Sequence, residues 1–255
     1  MLSKRSDNEK IWEYAILLMI ALSSYSCNTQ LAMKETSVYE IHNLTQTLQI
    51  DANWDKPQWQ NVKAIEISNY MGKIPVFRPI THVKVIYDES NIYVIFNVKD
   101  SCVRSVTKTI NGPVWEDACV EFFFAPDTSS PERYFNVEIN CGGTALMYYN
   151  IVPKKNYTIL NPDEIRKIEI AHSMPETVDP EIPLQVNWTL EYRLPIEILE
   201  KYSKVSRPGK GVIWKANFYK TAGNNSNPHW ITWSHINKKK PDFHLPEFFG
   251  TIKFQ

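Results

Sequence analysis

The sequence predicts an all-β fold, an antiparallel two-sheet β-sandwich of the jelly-roll or immunoglobulin-like kind with one or two short helices. Alternation of apolar and polar residues recurs along most of the 255-residue chain, and a period of two is typical of strands with one buried face. The 16 Pro and 8 Gly indicate frequent turns between these strands. Many short strands of this type favour two antiparallel sheets packed face to face.

The first strands along the chain form a predicted hairpin over residues 81–98. Residues 81–88 place Val83 and Val85 on one face, Asp88-Glu89-Ser90-Asn91 has the composition of a turn, and residues 92–98 follow as a second strand. A single helical turn is predicted upstream, within residues 53–60.

Residues 114–124 form the most informative segment. Trp115 precedes a strand in which Ala118, Val120, Phe122 and Phe124 lie on one face and Cys119, Glu121 and Phe123 on the other. An indole beside carboxylates on the face away from the core is suited to a sugar ring, which stacks on the indole while its hydroxyls bond to the acids. The alternative interpretation is a core tryptophan followed by an ordinary strand.

Three more strands and one helix are predicted downstream. In residues 134–140, Phe135, Val137 and Ile139 point inward, leaving Tyr134, Asn136, Glu138 and Asn140 on the opposite face. Residues 184–193 and 212–219 alternate in the same way, with Leu184 in the inward set of the first. Residues 194–202 predict a short helix with Pro195 in its first turn, where a missing N–H costs nothing.

The N-terminus has the pattern of a targeting segment. Basic residues precede an apolar run at residues 15–22, too short for a bilayer span of about 20 residues but suited to a secretory signal. Ser24 and Ser26 flank a cleavage point before Cys27, which resembles the acylated cysteine of a bacterial lipoprotein signal. We therefore predict a signal peptide over residues 1–26 and lipid attachment at Cys27, with simple secretion or an uncleaved anchor as alternatives.

The predicted domain organisation follows from this export signal. Residues 27–44 are interpreted as anchor and tether, and residues 45–255, which lack an internal linker, as one domain. The protein is expected to be exported and held at the cell envelope, on the outer membrane, through its lipid.

Composition excludes several functions. The 28 basic and 28 acidic residues balance, so a nucleic-acid partner has no electrostatic support. No motif of a serine hydrolase, a zinc protease or a phosphate-binding loop is present. The histidines and cysteines lack metal-ligand spacing, and the three cysteines after Cys27 allow one disulfide with a spare thiol, or none.

From about Leu48 to Phe254 the chain resembles the family 9 carbohydrate-binding modules. The segments that carry the resemblance are Ile50-Asp51 with Trp54 and Trp59, Val85-Ile86-Tyr87-Asp88 with Ile92-Tyr93-Val94, Trp115-Glu116-Asp117 with Val120-Glu121-Phe122, and Trp233-Ser234 with Pro246-Glu247-Phe248-Phe249-Gly250. Their order along the chain matches the family.

The resemblance implies a sugar held between two aromatic rings, and it implies the residues concerned. Trp115 corresponds to the first ring and Phe243 to the second, where the family often has Trp. Glu121 corresponds to the acid that accepts hydrogen bonds from sugar hydroxyls, and Asn136 stands in place of a family arginine. Glu138 lies on the same strand face as Asn136, and we assign His244, next to Phe243, as a donor at the rim.

These residues predict a non-catalytic protein that binds an oligo- or polysaccharide and supports polysaccharide breakdown, alone or beside a glycoside hydrolase. No cofactor is expected. A structural calcium ion occurs in the family, and acidic turn residues such as Asp88, Glu89 and Asp127 would supply oxygens. Three alternatives remain open: a structural or protein-docking module, a haem-binding sandwich domain, and a glycoside hydrolase using Asp117 with Glu121, or Glu121 with Glu138.

Overall fold

Sixteen β-strands and three short α-helices make up residues 37–255, the part of the chain that the computed structural model describes. The predicted signal peptide and Cys27 lie outside these residues. The strands are β1 (Val38–Asn43), β2 (Ile65–Ile67), β3 (Asn69–Met71), β4 (Ile80–Tyr87), β5 (Asn91–Asp100), β6 (Val103–Ser105), β7 (Cys119–Ala125), β8 (Tyr134–Asn140), β9 (Ala145–Val152), β10 (Asn156–Ile159), β11 (Glu169–His172), β12 (Val178–Ile182), β13 (Val186–Pro195), β14 (Ile213–Ala222), β15 (His229–Thr232) and β16 (Gly250–Phe254). The helices are α1 (Pro57–Gln60), α2 (Pro162–Ile165) and α3 (Ile196–Glu200), with 3₁₀ turns at Val114–Glu116 and Pro246–Phe248.

The strands form two layers that share β1. The first layer has the order β10-β9-β8-β7-β14-β16-β1. The first half of β14 pairs with β16 and its second half with β15, and β15 in turn pairs with β3. The second layer has the order β1-β4-β5-β13-β11, with β2 on β4. Strands β6 and β12 pair separately as a small sheet. The predicted β-sandwich is confirmed.

The core lies between the inner faces of the two layers. Val120, Phe122 and Phe124 of β7 alternate inward, as predicted, and meet residues such as Val85 and Phe96 of the opposite layer. The phenyl rings of Phe122 and Phe218 stack with centroids 4.6 Å apart. Because successive side chains of a strand point to opposite faces, this inward set fixes which residues of β7 point outward.

A second apolar cluster covers the outer face of the first layer. Its members come from β3, β7, β8, β14 and the segment before β16: Met71, Phe123, Ala125, Tyr134, Tyr219, Ile236, Phe243 and Phe249. Residues 236–249 therefore fold back over this sheet. The sheet is buried on both faces there, and the polar residues that β7 and β8 point outward are buried as well.

Several element boundaries agree with the sequence analysis. The hairpin at 81–98 is β4 paired antiparallel with β5, and the strand at 134–140 is β8. The helix at 194–202 is the shorter α3, with Pro195 at its N-cap. The strand predicted to begin at 184 begins at Val186, and Leu184, expected to point inward, is 74% exposed.

Two expectations differ from the structure at β1. Residues 38–43, predicted to belong to a tether over residues 27–44, form a strand whose Tyr39 and Ile41 are buried in the core. The ladders of β1 with β16 and β4 are parallel, whereas a purely antiparallel sandwich was expected. Within residues 37–255, no helix is both long and apolar enough to cross a membrane.

Candidate functional site

A cavity of about 350 Å³ opens on the outer face of the first layer, within the usual size range of small-molecule sites. We call it the cleft. It is lined by Trp115, Glu121, Phe123, Glu138, Tyr148, Lys154, Thr221, Trp230 and residues 241–244. The cleft therefore brings together five of the six residues predicted as ligand-binding, namely Trp115, Glu121, Glu138, Phe243 and His244.

Strand register places two carboxylates side by side in the cleft. Glu121 of β7 and Glu138 of β8 are directly opposite in the antiparallel ladder. Directly opposed residues have their Cβ atoms about 4.5–5.5 Å apart. Both side chains point outward because their neighbours on each strand fill the core. We call Glu121 and Glu138 the acid pair.

Burial and mutual repulsion hold protons on the acid pair. Glu121 is 2% exposed and Glu138 is 5% exposed. Burial raises the pKa of Glu138 to about 7, partly offset by a hydrogen bond from Asn136. The pKa of Glu121 is raised well above its usual value, first by burial and then by the charge of Glu138, while Lys220 opposes the shift. Near neutral pH the Glu138 carboxyl is therefore partly protonated, so the pair offers a hydrogen-bond donor as well as acceptors.

Backbone contacts position Trp115 at the edge of the cleft. The indole is 42% exposed, while its neighbour Val114 is fully buried. The N–H of Gly223 donates to the Trp115 carbonyl at 2.9 Å, and the N–H of Asn224 donates to the Glu116 carbonyl at 2.9 Å. The turn that presents the indole is thus fixed independently of the indole itself.

Asp117 fixes the other end of the same turn. Its buried carboxylate accepts hydrogen bonds from the backbone N–H groups of Val106 and Thr107 at 3.1 and 2.9 Å and from Asn140 Nδ2 at 2.9 Å. Arg104 lies 3.7 Å away. Asp117 does not line the cleft and its Oδ2 is used in holding the loop, which removes it from the carboxylates proposed for a hydrolase.

Phe243 lines the cleft but is also part of the outer apolar cluster. It is 8% exposed, and its ring stacks on Tyr219 with centroids 4.1 Å apart and planes at 15°. The Tyr219 hydroxyl also donates to the Phe243 carbonyl at 3.1 Å. One face of the phenyl ring is therefore occupied by protein, so Phe243 forms a wall of the cleft and supports the fold at the same time.

Asn136 and His244 take up different positions around the acid pair. Asn136 is fully buried and lies outside the cleft lining. Its Oδ1 accepts from Asn150 Nδ2 at 2.6 Å and its Nδ2 donates to Glu138 Oε1 at 2.9 Å, so we interpret it as a positioning residue for Glu138. His244 lines the cleft, with Nδ1 2.8 Å from the Tyr134 hydroxyl, and burial lowers the pKa of its imidazole to about 4.

Sequence reasoning missed Trp230, Tyr148 and Lys154. Trp230 reaches the cleft because β15 pairs with β14, which puts Trp230 opposite Thr221 and Thr221 opposite Cys119 of β7. Tyr148 lies opposite Asn136 on β9. The sequence predicts which residues of a strand share a face, but it does not predict which strands are neighbours in the sheet, because these strands are distant in sequence.

Metal and thiol chemistry has little support in the described part of the chain. No group of three or more His, Cys, Asp or Glu side chains is arranged there to bind a metal ion. The Asp88 carboxylate accepts hydrogen bonds from Ser90, Asn91 and Tyr93 within its own hairpin. The structural calcium ion stays a prediction. Cys102, Cys119 and Cys141 are free thiols.

The chain belongs to carbohydrate-binding family 9, whose family model matches residues 46–254. This is a family of non-catalytic carbohydrate-binding modules, which confirms the prediction that the protein is not an enzyme. The family resemblance seen in the sequence is thereby confirmed. A comparison with curated proteins found no match.

Solved structures share the fold over most of the chain. A candidate carbohydrate-binding protein from Bacteroides uniformis ATCC 8492 is 26% identical, with a TM-score of 0.77 over 86% of this chain and 100% of that chain. A family 9 carbohydrate-binding module from Caldicellulosiruptor kristjanssonii in complex with cellotriose is 16% identical, with a TM-score of 0.58 over 86% and 94%. A family 9 carbohydrate-binding module from the same organism in complex with glucose is 16% identical, with a TM-score of 0.54 over 86% of this chain and 96% of that chain.

Proposed function

We propose that this protein binds an oligo- or polysaccharide in the cleft without catalysis, with one sugar ring stacked on Trp115 and its hydroxyls bonded to Glu121 and Glu138. The observation that carries the proposal is the exposed indole beside a buried acid pair in one cavity. Membership of carbohydrate-binding family 9 supports it, as does the similarity of fold to modules described in complex with cellotriose and glucose.

The physical requirements of sugar binding fit this arrangement. Sugar hydroxyls compete with water for hydrogen bonds, so net affinity needs a rigid site whose polar groups are already oriented. The backbone hydrogen bonds at Trp115 provide that rigidity on one side of the cleft. The hydrogen bonds from Asn150 to Asn136 and from Asn136 to Glu138 provide it at the acid pair. One stacked ring would contribute roughly 1–3 kcal/mol, so we expect dissociation constants of about micromolar to millimolar.

We further propose that the protein acts at the cell envelope in polysaccharide breakdown, alone or beside a glycoside hydrolase. The support is the sequence pattern of residues 1–27, with the signal peptide and the lipid-acceptor Cys27. Labelling cells with a fatty-acid analogue tests the anchor, since Cys27→Ala would abolish incorporation. Incorporation that persists in this variant would contradict lipid attachment at Cys27.

The proposed binding site is tested by replacing its two predicted rings. Trp115→Ala should reduce affinity for a glycan identified on an array at least tenfold, and change the free energy of unfolding by less than about 1 kcal/mol, because the indole is exposed at the edge of the cleft and belongs to none of the buried apolar clusters. Phe243→Ala should also weaken binding, but should destabilise the fold by about 3–5 kcal/mol because it leaves a hole beside Tyr219. Calorimetric titration and chemical denaturation measure the two quantities.

Leu184→Ala is a control for Trp115→Ala, because Leu184 is an exposed apolar residue outside the cleft lining. It should change neither affinity nor stability. Unchanged affinity in Trp115→Ala, or the absence of binding to any glycan by the wild-type protein, would contradict the proposed function.

A further inference from the structure

The acid pair places two buried carboxyl groups with unused hydrogen-bonding atoms at the cleft. Among the residues that the structure describes, none hydrogen-bonds to the Glu121 carboxyl group, and the Glu138 carboxyl group receives one hydrogen bond, from the neutral amide of Asn136. Both side chains are more than nine-tenths buried and both line the cavity. A buried carboxylate without a partner is costly, so a ligand that supplies hydrogen-bond donors or positive charge there would gain affinity.

The cations near the cleft already have carboxylate partners. Lys154 lines the cleft, and its Nζ lies 2.7 Å from Asp242 Oδ1. Lys220 of β14 is buried beneath the sheet, with Nζ 2.9 Å from Asp100 Oδ2 and 2.8 Å from His229 Nε2. His244 is neutral at neutral pH because its pKa is lowered to about 4. The charges of Lys154 and Asp242 balance each other, so neither lysine neutralises the acid pair when it ionises.

We propose that the cleft selects saccharides bearing a free amino group, whose ammonium donates hydrogen bonds to Glu121 and Glu138, and disfavours saccharides bearing carboxylates. This inference rests on the proposed function, since it assigns a ligand class to the same site. An ammonium carries three donors and a positive charge, and hydrogen bonds between charged partners are about twice as strong as neutral ones. A uronic acid would instead bring a third carboxylate beside two that already repel each other.

Binding of an ammonium displaces a proton from the acid pair. In the free protein at pH 6 the Glu138 carboxyl is largely protonated, because burial raises its pKa to about 7. The pKa of the Glu121 carboxyl is raised as well, first by burial. The incoming positive charge favours the ionised form, so one carboxyl O–H bond breaks and its proton passes to the buffer. A neutral sugar adds no charge and releases no proton. Proton release on binding therefore distinguishes selection by the charge of the ammonium from selection by the shape of the sugar.

The experiment compares matched sugars on the purified protein at pH 6. Glucosamine and galactosamine, as monomers and short oligomers, are titrated beside their N-acetylated and hydroxyl counterparts and beside the matching uronic acids. We expect the free amine to bind roughly tenfold more tightly than its N-acetyl counterpart and the uronic acid to bind most weakly. Repeating the calorimetry in buffers of different ionisation enthalpy should give proton release for the amine alone.

Two variants assign the preference to the acid pair. Glu138→Gln and Glu121→Gln keep the shape of each side chain, and each should bring the ratio of amine to N-acetyl affinity close to one and reduce proton release. Glu132→Gln is the matched control, because this exposed glutamate lies outside the cleft lining. It should keep the wild-type ratio.

The outcomes distinguish this inference from the proposed function. If neutral sugars bind in the cleft with the same affinity as the amino sugars, the amino-sugar preference is overturned and carbohydrate binding still stands. A preference that survives in both Gln variants would also overturn it, since the acid pair would not be its source. If no sugar of any series binds, both proposals fail.

Discussion

Glu138 has an environment unlike that of a surface carboxylate. It is buried beside a like-charged neighbour, and its position there follows from strand register. Its pKa of about 7, against an ordinary value of 4.5, means that the folded state binds more protons than the unfolded state between these two pH values. The stability that protonated Glu138 contributes is therefore present below about pH 4.5 and is lost as the pH rises through 7.

This linkage predicts how Glu138→Gln changes the pH dependence of stability. The free energy of unfolding of the wild type should fall relative to that of the variant between about pH 4.5 and 8. The comparison is needed because His229 and His244, with pKa values lowered to about 3 and 4 mainly by burial, destabilise the fold as the pH falls below 6.5. Both histidines are present in both proteins. Urea denaturation at several pH values measures the difference, and parallel curves would contradict the raised pKa.

The alternation of apolar and polar residues identified some of the individual residues of the site. The sequence places Glu121 and Glu138 on outward faces of their strands and Trp115 at a strand entrance, and all three line the cleft. It did not reveal that Phe243 also stacks on Tyr219 or that Asn136 serves Glu138, because both roles depend on contacts between residues far apart in sequence. Local polarity patterns report the face of a strand but not what packs on that face.

At the scale of elements, the turn after β14 determines where the Trp115 turn lies. A Cβ atom added at Gly223 would lie 3.1 Å from the Trp115 carbonyl oxygen and 3.5 Å from the Glu116 Cα. Both neighbours are backbone atoms, so the 3₁₀ turn would have to shift by a few tenths of an ångström. The absence of a side chain at Gly223 thus permits the hydrogen bond between the two segments.

Gly223→Ala should therefore weaken sugar binding several-fold by moving the indole, with a loss of stability of about 1 kcal/mol. Gly209→Ala is the matched control, since a Cβ there would meet nothing within 4 Å. Titration with the same glycan and a thermal melt test both variants. Equal affinities for the two would show that the turn after β14 does not position Trp115.

The sequence also predicted elements unequally. β8 was found because its residues alternate with a clear period of two, and the β4–β5 hairpin because a turn sequence separates two adjacent strand-like segments. The short strands β2, β3, β6 and β15 were not, since three or four residues cannot establish a period. The contribution of β15 to the site, through Trp230, was missed for this reason.

For the molecule as a whole, β1 joins the two layers. It pairs with β16 through Val38–Ile41 and with β4 through His42 and Asn43, and the side chains of Tyr39 and Ile41 lie in the core. The sequence predicted a domain beginning at residue 45, because the polar stretch before it lacks a long alternating pattern. The sandwich is closed by a strand that this boundary would omit.

A chain beginning at residue 45 should consequently be strongly destabilised relative to one beginning at residue 36. Burial of one large apolar side chain contributes about 1.5–3 kcal/mol, so losing Tyr39 and Ile41 would remove about 3–6 kcal/mol before the lost ladder bonds are counted. Chemical denaturation of both chains gives the comparison. Equal midpoints would mean that β1 contributes nothing to closing the sandwich.

The contacts that hold the 3₁₀ turn at Trp115 use main-chain atoms and the Asp117 carboxylate, and none requires the indole. The backbone conformation of this turn consequently does not depend on which side chain residue 115 carries. Tyrosine, phenylalanine or histidine could replace Trp115 without rebuilding the scaffold, so that glycan preference can diverge through point changes at a single position. The same property makes this position the natural starting place for engineering new recognition into the sandwich.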